Sequence, residues 1–446
     1  MTNNEERIYY MDNVRALAML LGILFHASIP YGTLLHEVWI ITDIRGSWLM
    51  DFGAWFSHLF RMPVFFIVAG FFAHLLINKR GTAGFLKNRA TRILIPFVVF
   101  WPIMGISINI LMVHAVETVT TKLPLLQFIA VEMNNPDSES PLASTTHLWF
   151  LYQLIWFYIL TVIGIKFKME SVSRYLDRIF SNARHLIYLP LLLVPSLFVT
   201  SAPLPAPERV YPELWSFGYF GLFFLFGWAL FSRRGYLDLI TPYWKHMLGA
   251  GVVLYTGFFL ILPDITLETA LKMANTYDFS LKHLGVAIIE AYATLFLTLA
   301  FLILGKKYLD IRHGGLRYIA DSSYWVYIIH FPVLMLIQIH LVDVEISIWL
   351  KFLVSSLLTL SLGLVSYVIL VRYTPIGWLL NGRKKRHTDD SPQRLTIKKE
   401  VAETNPVSYK KWSDTFRPKE RVPTLLEESY HLVGARSCGQ FISLAY

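Results

Sequence analysis

Long apolar blocks alternate with shorter polar connections along the whole chain up to about residue 380. A helix needs about 20 predominantly apolar residues to cross the hydrocarbon of a bilayer, whereas the strands of a membrane barrel alternate apolar and polar positions. The pattern therefore predicts an all-α protein, a polytopic transmembrane bundle of about ten helices. The predicted spans are 14–35, 53–77, 93–115, 146–165, 186–203, 214–231, 246–263, 284–304, 320–342 and 352–371.

Basic residues are concentrated in every second connection. Segments 79–92 and 306–317 are rich in lysine and arginine. The connections on the opposite side of the predicted bundle contain acidic residues, among them Asp43, Asp51, Glu132, Asp137 and Glu139. Cytoplasmic loops of membrane proteins have an excess of lysine and arginine. The distribution therefore predicts that both chain termini are cytoplasmic.

The composition changes after Asn381. Residues 1–381 are predicted to form the membrane domain, and residues 382–446 a basic cytoplasmic tail that lies on the anionic leaflet or is partly disordered. The single cysteine, Cys438, lies in this tail, so neither an internal disulfide nor a cysteine-based metal site is expected. The first ten residues are polar, and no cleavable signal peptide is expected.

The overall composition agrees with the helical pattern. Of the 446 residues, 55% are hydrophobic and only 16% are charged, which makes the lipid bilayer an expected partner. The net charge of +9 comes largely from the cytoplasmic connections and the tail, so no nucleic-acid partner is expected. Motifs of soluble hydrolases and nucleotide-binding loops are absent, and His74 and His340 have no partners at metal-ligand spacing. Neither a metal nor a permanently bound cofactor is expected.

Four ionisable residues fall at one depth of the predicted bundle. His26, Arg61, His330 and Glu290 come from four different spans, roughly 15–20 Å from the cytoplasmic side at 1.5 Å per helical residue. Ionisable groups in a membrane interior usually mark a functional site or a structural ion pair, and Arg61 and Glu290 could form such a pair. Because four groups share one layer, we favour a functional site.

Basic residues also mark the cytoplasmic mouth of this layer. Arg15 and His26 are eleven residues apart, which places them on one helix face. Arg89 and Arg92, in "RATR", open the third span, where guanidinium groups suit phosphate recognition. These positions favour an anionic substrate entering from the cytosol. An ion pathway and ordinary positive-inside charge are the alternatives.

On the opposite side, His147 begins the fourth span beside Trp149. Both are predicted to lie at the outer surface. There they would bind a substrate, with the aromatic ring stacking on a sugar, or they would belong to the interfacial aromatic belt.

Several of these stretches occur together in one known family. "MDNVRALAMLLGILFH", "FRMPVFFIVAGFF", "RATR", "HLWFL" and "SSYWVYIIHFPV" resemble, in this order, motifs of the membrane acyltransferase 3 family. The resemblance covers about residues 7–380. One departure is Ala69, where relatives often have serine, so no hydroxyl role is expected at that position.

The resemblance implies a bacterial inner-membrane enzyme that transfers a succinyl or acetyl group from cytosolic acyl-CoA to a hydroxyl of a periplasmic glycan. His26 would act as general base or carry the acyl group, and Arg61 would stabilise the oxyanion. His330 and Glu290 would orient His26 or shuttle protons. The donor, succinyl-CoA or acetyl-CoA, would be bound at its phosphates by Arg15, Arg89 and Arg92.

Two other functions use the same features. A proton-coupled transporter of a small solute or an acylated glycan precursor would use the buried groups as a relay, but it predicts inverted repeats, which the sequence lacks. A non-catalytic scaffold would tolerate alanine at both His26 and Arg61.

Overall fold

The computed structural model describes residues 9–135, 144–167, 178–179, 181–273 and 278–381. Within these ranges the regular structure is helical, and the only β contact is a single bridge between Ser144 and Arg209. The predicted all-α class is therefore confirmed. The predicted tail, 382–446, with Cys438, lies outside the described residues, as do Asp137 and Glu139.

The α-helices follow one another along the described parts of the chain. They are α1 Tyr9–Ser28, α2 Trp48–Arg89, α3 Ile95–Thr118, α4 Pro124–Glu132, α5 Trp149–Lys166, α6 Val194–Phe198, α7 Leu214–Ser232, α8 Gly235–Ile240, α9 Trp244–Leu260, α10 Leu267–Met273, α11 Leu281–Tyr308, α12 Gly314–Leu341, α13 Ile348–Ser366 and α14 Pro375–Leu380. A π-helical turn, Ala90–Leu94, joins α2 to α3, and another, Tyr367–Val371, follows α13.

Seven segments of the described chain are long and apolar enough to cross a membrane. They are Tyr9–Tyr31, Trp48–Thr118, Thr146–Lys166, Leu214–Ser232, Leu281–Tyr308, Gly314–Leu341 and Ile348–Val371. One of them, Trp48–Thr118, is 71 residues long and contains both α2 and α3. Helix α9, with 17 residues, covers most of a further predicted span.

The predicted span 186–203 is not a continuous helix. The structure has three short helical pieces there, Ala183–Ile187, Leu189–Leu192 and Val194–Phe198. Pro190 and Pro195 explain the breaks, because proline has no N–H to donate and its ring clashes with the preceding turn. The prediction of one continuous helix used only the apolar character of this stretch, which does not report the breaks in its backbone.

Contacts between connections define two ends of the bundle. The backbone N–H of Tyr10 donates to Asp310 (3.1 Å), and the side-chain amide of Asn381 donates to the carbonyl of Asp321 (2.9 Å). The beginning of α1 and the end of α14 therefore lie at the same end, which we call the inner end. At the outer end, the buried Lys351 ammonium pairs with Asp43 and also donates to a backbone carbonyl.

Helices α2 and α7 pack closely through two glycines. A Cβ atom on Gly70 would lie 2.0 Å from the carbonyl oxygen of Phe224, and one on Gly227 would lie 1.9 Å from that of Ile67. Each glycine thus lets the backbone of the other helix approach, as small residues do in membrane bundles. This contact holds α2, which carries Arg61, against the rest of the bundle.

Replacing Gly227 by alanine is expected to separate α2 from α7. The added methyl group cannot fit against a backbone carbonyl, so unfolding should become easier by about 1–3 kcal/mol or more. Thermal unfolding of the detergent-solubilised protein measures this. Gly249, where an added Cβ atom would meet no described atom within 4 Å, is the control, and Gly249→Ala should leave stability unchanged or raise it. Equal effects of the two substitutions would contradict the close contact.

Candidate functional site

Three imidazole rings meet inside the bundle. The His26 ring of α1 lies 5.3 Å from the His330 ring of α12, and the His147 ring lies 5.4 Å from His330, measured between ring centroids. His147 and His330 are 3% and 5% exposed. We call these three residues the histidine cluster.

Backbone carbonyls determine which nitrogen carries the proton in two of the rings. Nδ1 of His330 is 2.7 Å from the carbonyl oxygen of Tyr327, and Nε2 of His147 is 2.8 Å from that of Ile328. Since a carbonyl oxygen only accepts, both nitrogens are N–H donors. The other nitrogen of each neutral ring is therefore a proton acceptor.

The segment before α5 brings His147 to this depth. The Trp101 indole, within two turns of the inner end of α3, donates to the carbonyl of Ser144 (2.8 Å). Thr146 has a φ of 49°, a left-handed conformation that is uncommon for a β-branched residue. The predicted outer-surface position of His147 is wrong, because its side chain is buried and its ring lies beside that of His330 inside the bundle.

A second segment, residues 199–213, meets the first one inside the bundle. The backbone N–H and the hydroxyl of Thr145 both donate to the carbonyl oxygen of Glu208 (2.7 and 2.8 Å), and the Ser144 hydroxyl donates to the Glu208 carboxyl group (3.0 Å). We call residues 199–213 the re-entrant segment. Non-helical backbone at membrane depth is tolerated only where protein or a water-filled cavity covers it. These hydrogen bonds provide that cover.

Arg61 is a buried cation next to the histidine cluster. It is 4% exposed, its guanidinium donates to the carbonyl of Leu21 (3.3 Å), and its Cζ lies 4.6 Å from the centre of the Phe25 ring. Among the described residues no carboxylate forms an ion pair with it. Because isolated buried charge is costly, the arrangement is suited to a negatively charged group that arrives with a substrate.

His58 is a site residue that the sequence analysis missed. It lies one helical turn before Arg61 on α2, and its ring stacks on Phe25 at 4.7 Å. Both His58 and Arg61 lie within electrostatic reach of His26. The spacing of three residues from Arg61 was the signal that could have identified it, because such residues share a helix face.

Glu290 lies in another part of the interior. It is 2% exposed and lies next to the backbone of Leu204 in the re-entrant segment and close to Tyr219, and it forms no ion pair with Arg61. The alternative interpretation of an Arg61–Glu290 ion pair is therefore wrong. Depth along a helix, which is what the sequence predicts, does not specify which side chains face one another.

Two of the three inner arginines, Arg15 and Arg92, contact the inner half of α12. Arg15 donates to the carbonyl of Ala320 (3.3 Å), and one turn further along, the Tyr324 hydroxyl donates to the carbonyl of Arg92 (2.9 Å). Arg89 and Arg92 lie within electrostatic reach of each other. The Arg89 guanidinium donates to the carbonyl of Phe72 (3.3 Å). The joint phosphate-binding role of Arg15, Arg89 and Arg92 stays a prediction.

Trp149 is not part of the histidine cluster. Its ring packs against Phe220 at 5.2 Å and Phe66 at 6.3 Å, and it is 7% exposed. The predicted sugar-binding role of Trp149 stays a prediction. Among the described residues no group of three or more histidine, cysteine, aspartate or glutamate side chains is placed to hold a metal ion.

Two cavities adjoin the polar layer. One of about 10 Å³ is lined by Trp39, Phe331 and Gln338 among others, and Phe331 also contacts His26. The second, also of about 10 Å³, lies between His58 and Leu204. Both are smaller than a typical small-molecule pocket of about 300–1,000 Å³, so binding of a larger substrate requires side chains or the re-entrant segment to move.

Comparison with known proteins gives one family. Residues 8–369 match a family described as an acyltransferase domain. The chain is 25% identical to glucans biosynthesis protein C of Shigella dysenteriae, over 87% of this chain and 98% of that protein. Proteins of the same name from Salmonella agona and Escherichia coli are 26% and 24% identical, over 84% and 87% of this chain and 95% and 98% of their own lengths. No solved structure matches the chain.

Replacing Thr145 by valine, which has the same shape, should loosen the contact between the segment before α5 and the re-entrant segment. The loss of its buried hydroxyl hydrogen bond to Glu208 should cost about 1–3 kcal/mol. We expect lower thermal stability and faster amide hydrogen exchange in residues 144–148 and 204–210. Thr256→Val, which removes an exposed hydroxyl on α9, is the control. Unchanged exchange in Thr145→Val would contradict this assignment.

Proposed function

This chain belongs to the membrane acyltransferase 3 family, and from that premise we propose that it is an O-acyltransferase of the bacterial inner membrane. It transfers a succinyl or acetyl group from cytosolic acyl-CoA to a hydroxyl of a periplasmic glycan. The relatives are named for glucan biosynthesis, which supports a glucan acceptor, such as an osmoregulated periplasmic glucan. Acyl-CoA is a substrate in this reaction and is not retained as a cofactor.

The observation that carries this proposal is the position of Arg61. A buried guanidinium without a carboxylate partner among the described residues, beside His26 and His330, combines a fixed positive charge with groups that accept protons. Acyl transfer creates a negative charge on the carbonyl oxygen and requires proton removal from the attacking hydroxyl. Arg61 would stabilise the negative charge, and the adjacent histidines would accept the proton.

The proposed step uses His26 as general base. His26 takes the proton of the acceptor hydroxyl while the hydroxyl oxygen attacks the thioester carbonyl, and Arg61 stabilises the resulting oxyanion. Collapse of the intermediate breaks the carbon–sulfur bond. The departing CoA thiolate then receives the proton held by His26. His330, whose Nδ1 is held by the Tyr327 carbonyl, orients His26 through the contact of their rings.

The inner arginines support entry of the donor from the cytosol. Arg15, Arg89 and Arg92 would bind the phosphates of CoA, since guanidinium groups suit phosphate geometry. From Ala320, which contacts Arg15, α12 leads over ten residues to His330, a rise of about 15 Å. The pantetheine arm would follow this helix, and the thioester would reach the histidine cluster.

The acyl group is expected to depend on a second cation. Succinyl transfer requires a partner for the terminal carboxylate, and Arg61 or an arginine of the re-entrant segment, Arg209, would supply it. Acetyl transfer requires no such partner.

Transfer is tested directly with the protein in sealed vesicles. Isotope-labelled succinyl-CoA or acetyl-CoA is supplied on the inner-end side and a periplasmic glucan fraction on the other, and mass spectrometry detects the labelled ester. Comparison of glucans from cells with and without the protein identifies the natural acyl group. Glucan movement across vesicles without acyl-CoA, and without ester formation, would indicate a transporter and contradict the proposal.

His26→Ala should lower acyl transfer by about 10²–10⁴-fold, the usual contribution of a general base. The assay is labelled ester formed per minute at saturating acyl-CoA. His340→Ala, an exposed histidine near the outer end of α12, is the matched control and should retain activity. A correctly folded His26→Ala protein with full activity would exclude the proposed base.

Arg61→Met should lower kcat by about 10²–10³-fold, the loss typical of removing one oxyanion donor. Because Arg61 has no ion-pair partner among the described residues, thermal stability should stay the same or rise. Arg312→Met, which changes an exposed arginine at the inner end, is the control. If Arg61→Met instead strongly destabilised the protein at unchanged kcat per folded molecule, Arg61 would be structural.

A further inference from the structure

Leu204 lies between two buried polar side chains that the proposed reaction does not use. Its backbone lies next to the carboxyl group of Glu290 and next to the ring of His58. Glu290 and His58 come from α11 and α2, so the re-entrant segment inserts between two long helices at this point.

Each of these side chains has a polar atom that is buried and has no hydrogen-bond partner among the described residues. They are Oε1 of Glu290 and Nδ1 of His58. Glu290 is 98% buried, as its exposed fraction is 2%. Buried polar atoms are nearly always paired, because an unpaired one costs a few kcal/mol. Two such atoms on either side of one peptide group suggest a binding site whose ligand supplies the missing partners.

The chemistry of the two atoms defines the ligand. An imidazole nitrogen accepts or donates according to its tautomer, and a carboxyl oxygen accepts when ionised and can donate when protonated. The site therefore suits a ligand whose groups both donate and accept hydrogen bonds. A sugar hydroxyl fits, because it does both.

The surroundings of Leu204 also fit a sugar. The cavity between His58 and Leu204 is lined by the aromatic rings of Tyr219 and Phe220, which can contact the apolar face of a pyranose. Phe25 stacks on His58 and contacts the ring of His26, so a ligand bound at His58 would be adjacent to the histidine cluster.

We propose that Glu290 and His58 form the subsite for the acceptor sugar, and that Leu204 fills this subsite until the glycan displaces it. This inference rests on the proposed function, since it concerns the acceptor of that reaction. Glu290 and His58 bind sugar hydroxyls next to the hydroxyl that reacts. The role proposed for Glu290 thereby changes from proton transfer to acceptor binding.

Binding is measured without catalysis, so that the result does not depend on acyl transfer. The probe is a short gluco-oligosaccharide, added without acyl-CoA to the full-length protein in nanodiscs, with His26→Ala as the background. Glu290→Gln and His58→Phe should each weaken binding about tenfold or more, because sites built for hydroxyls strongly disfavour loss of a partner. The fully O-methylated oligosaccharide, which has no donors, should not bind.

Controls use the same substitutions where no subsite is proposed. Glu345→Gln changes an exposed carboxylate, and His114→Phe changes a histidine near the outer end of α3. Both should keep the affinity of the background protein. Equal binding of the methylated and unmethylated sugars, or unchanged affinity in Glu290→Gln and His58→Phe, would overturn the subsite and would mean that water fills this space.

Leu204→Ala tests the same site through an expected increase in oligosaccharide affinity. Removing the side chain that fills the subsite should strengthen oligosaccharide binding and lower the acceptor KM at unchanged donor KM. A purely structural role of Leu204 predicts weaker binding together with lower thermal stability. If Leu204→Ala and Glu290→Gln change affinity as expected but no ester forms in the wild type, the sugar site stands and the acyltransfer reaction fails.

Discussion

The positive charge of Arg61, held away from water and without an ion-pair partner among the described residues, is the constraint around which the interior is arranged. A guanidinium does not lose its proton, so its charge has to be stabilised by dipoles and aromatic rings. The Leu21 carbonyl and the Phe25 ring, both on α1, provide this stabilisation only in part. The same helix carries His26, so the contact between α1 and α2 fixes the positions of both Arg61 and the proposed base, His26.

Helix α12 organises the remaining groups. Successive turns of this helix contact Arg15, Arg92 and His147 and carry His330. Tyr327 alone makes two of these contacts, because its hydroxyl donates to the carbonyl of His147 and its own carbonyl accepts from His330. A rigid helix therefore links the cations of the inner end to the histidines of the interior, which is the direction in which the proposed donor would enter.

Two non-helical segments bring further residues into the interior of the bundle. The segment before α5 carries His147 into the bundle, and the re-entrant segment brings Leu204 between His58 and Glu290. Their backbone groups pair with each other, as at Thr145 and Glu208, and so satisfy hydrogen bonds that lipid cannot. In the proposed reaction, the donor side is built from helices, whereas the acceptor side is built from these two segments. Displacement of the re-entrant segment would then precede binding of the glycan.

The sequence by itself determined the helical class, most of the long helices and the depth of His26, Arg61 and His330, because hydropathy and the rise per residue depend only on local chain properties. Only the tertiary structure decided that His147 joins the interior, that His58 belongs to the site and that Glu290 faces Leu204 and not Arg61. Those relations depend on how separate helices rotate and on where two non-helical segments find hydrogen-bond partners, and neither is encoded in the periodicity of a single stretch.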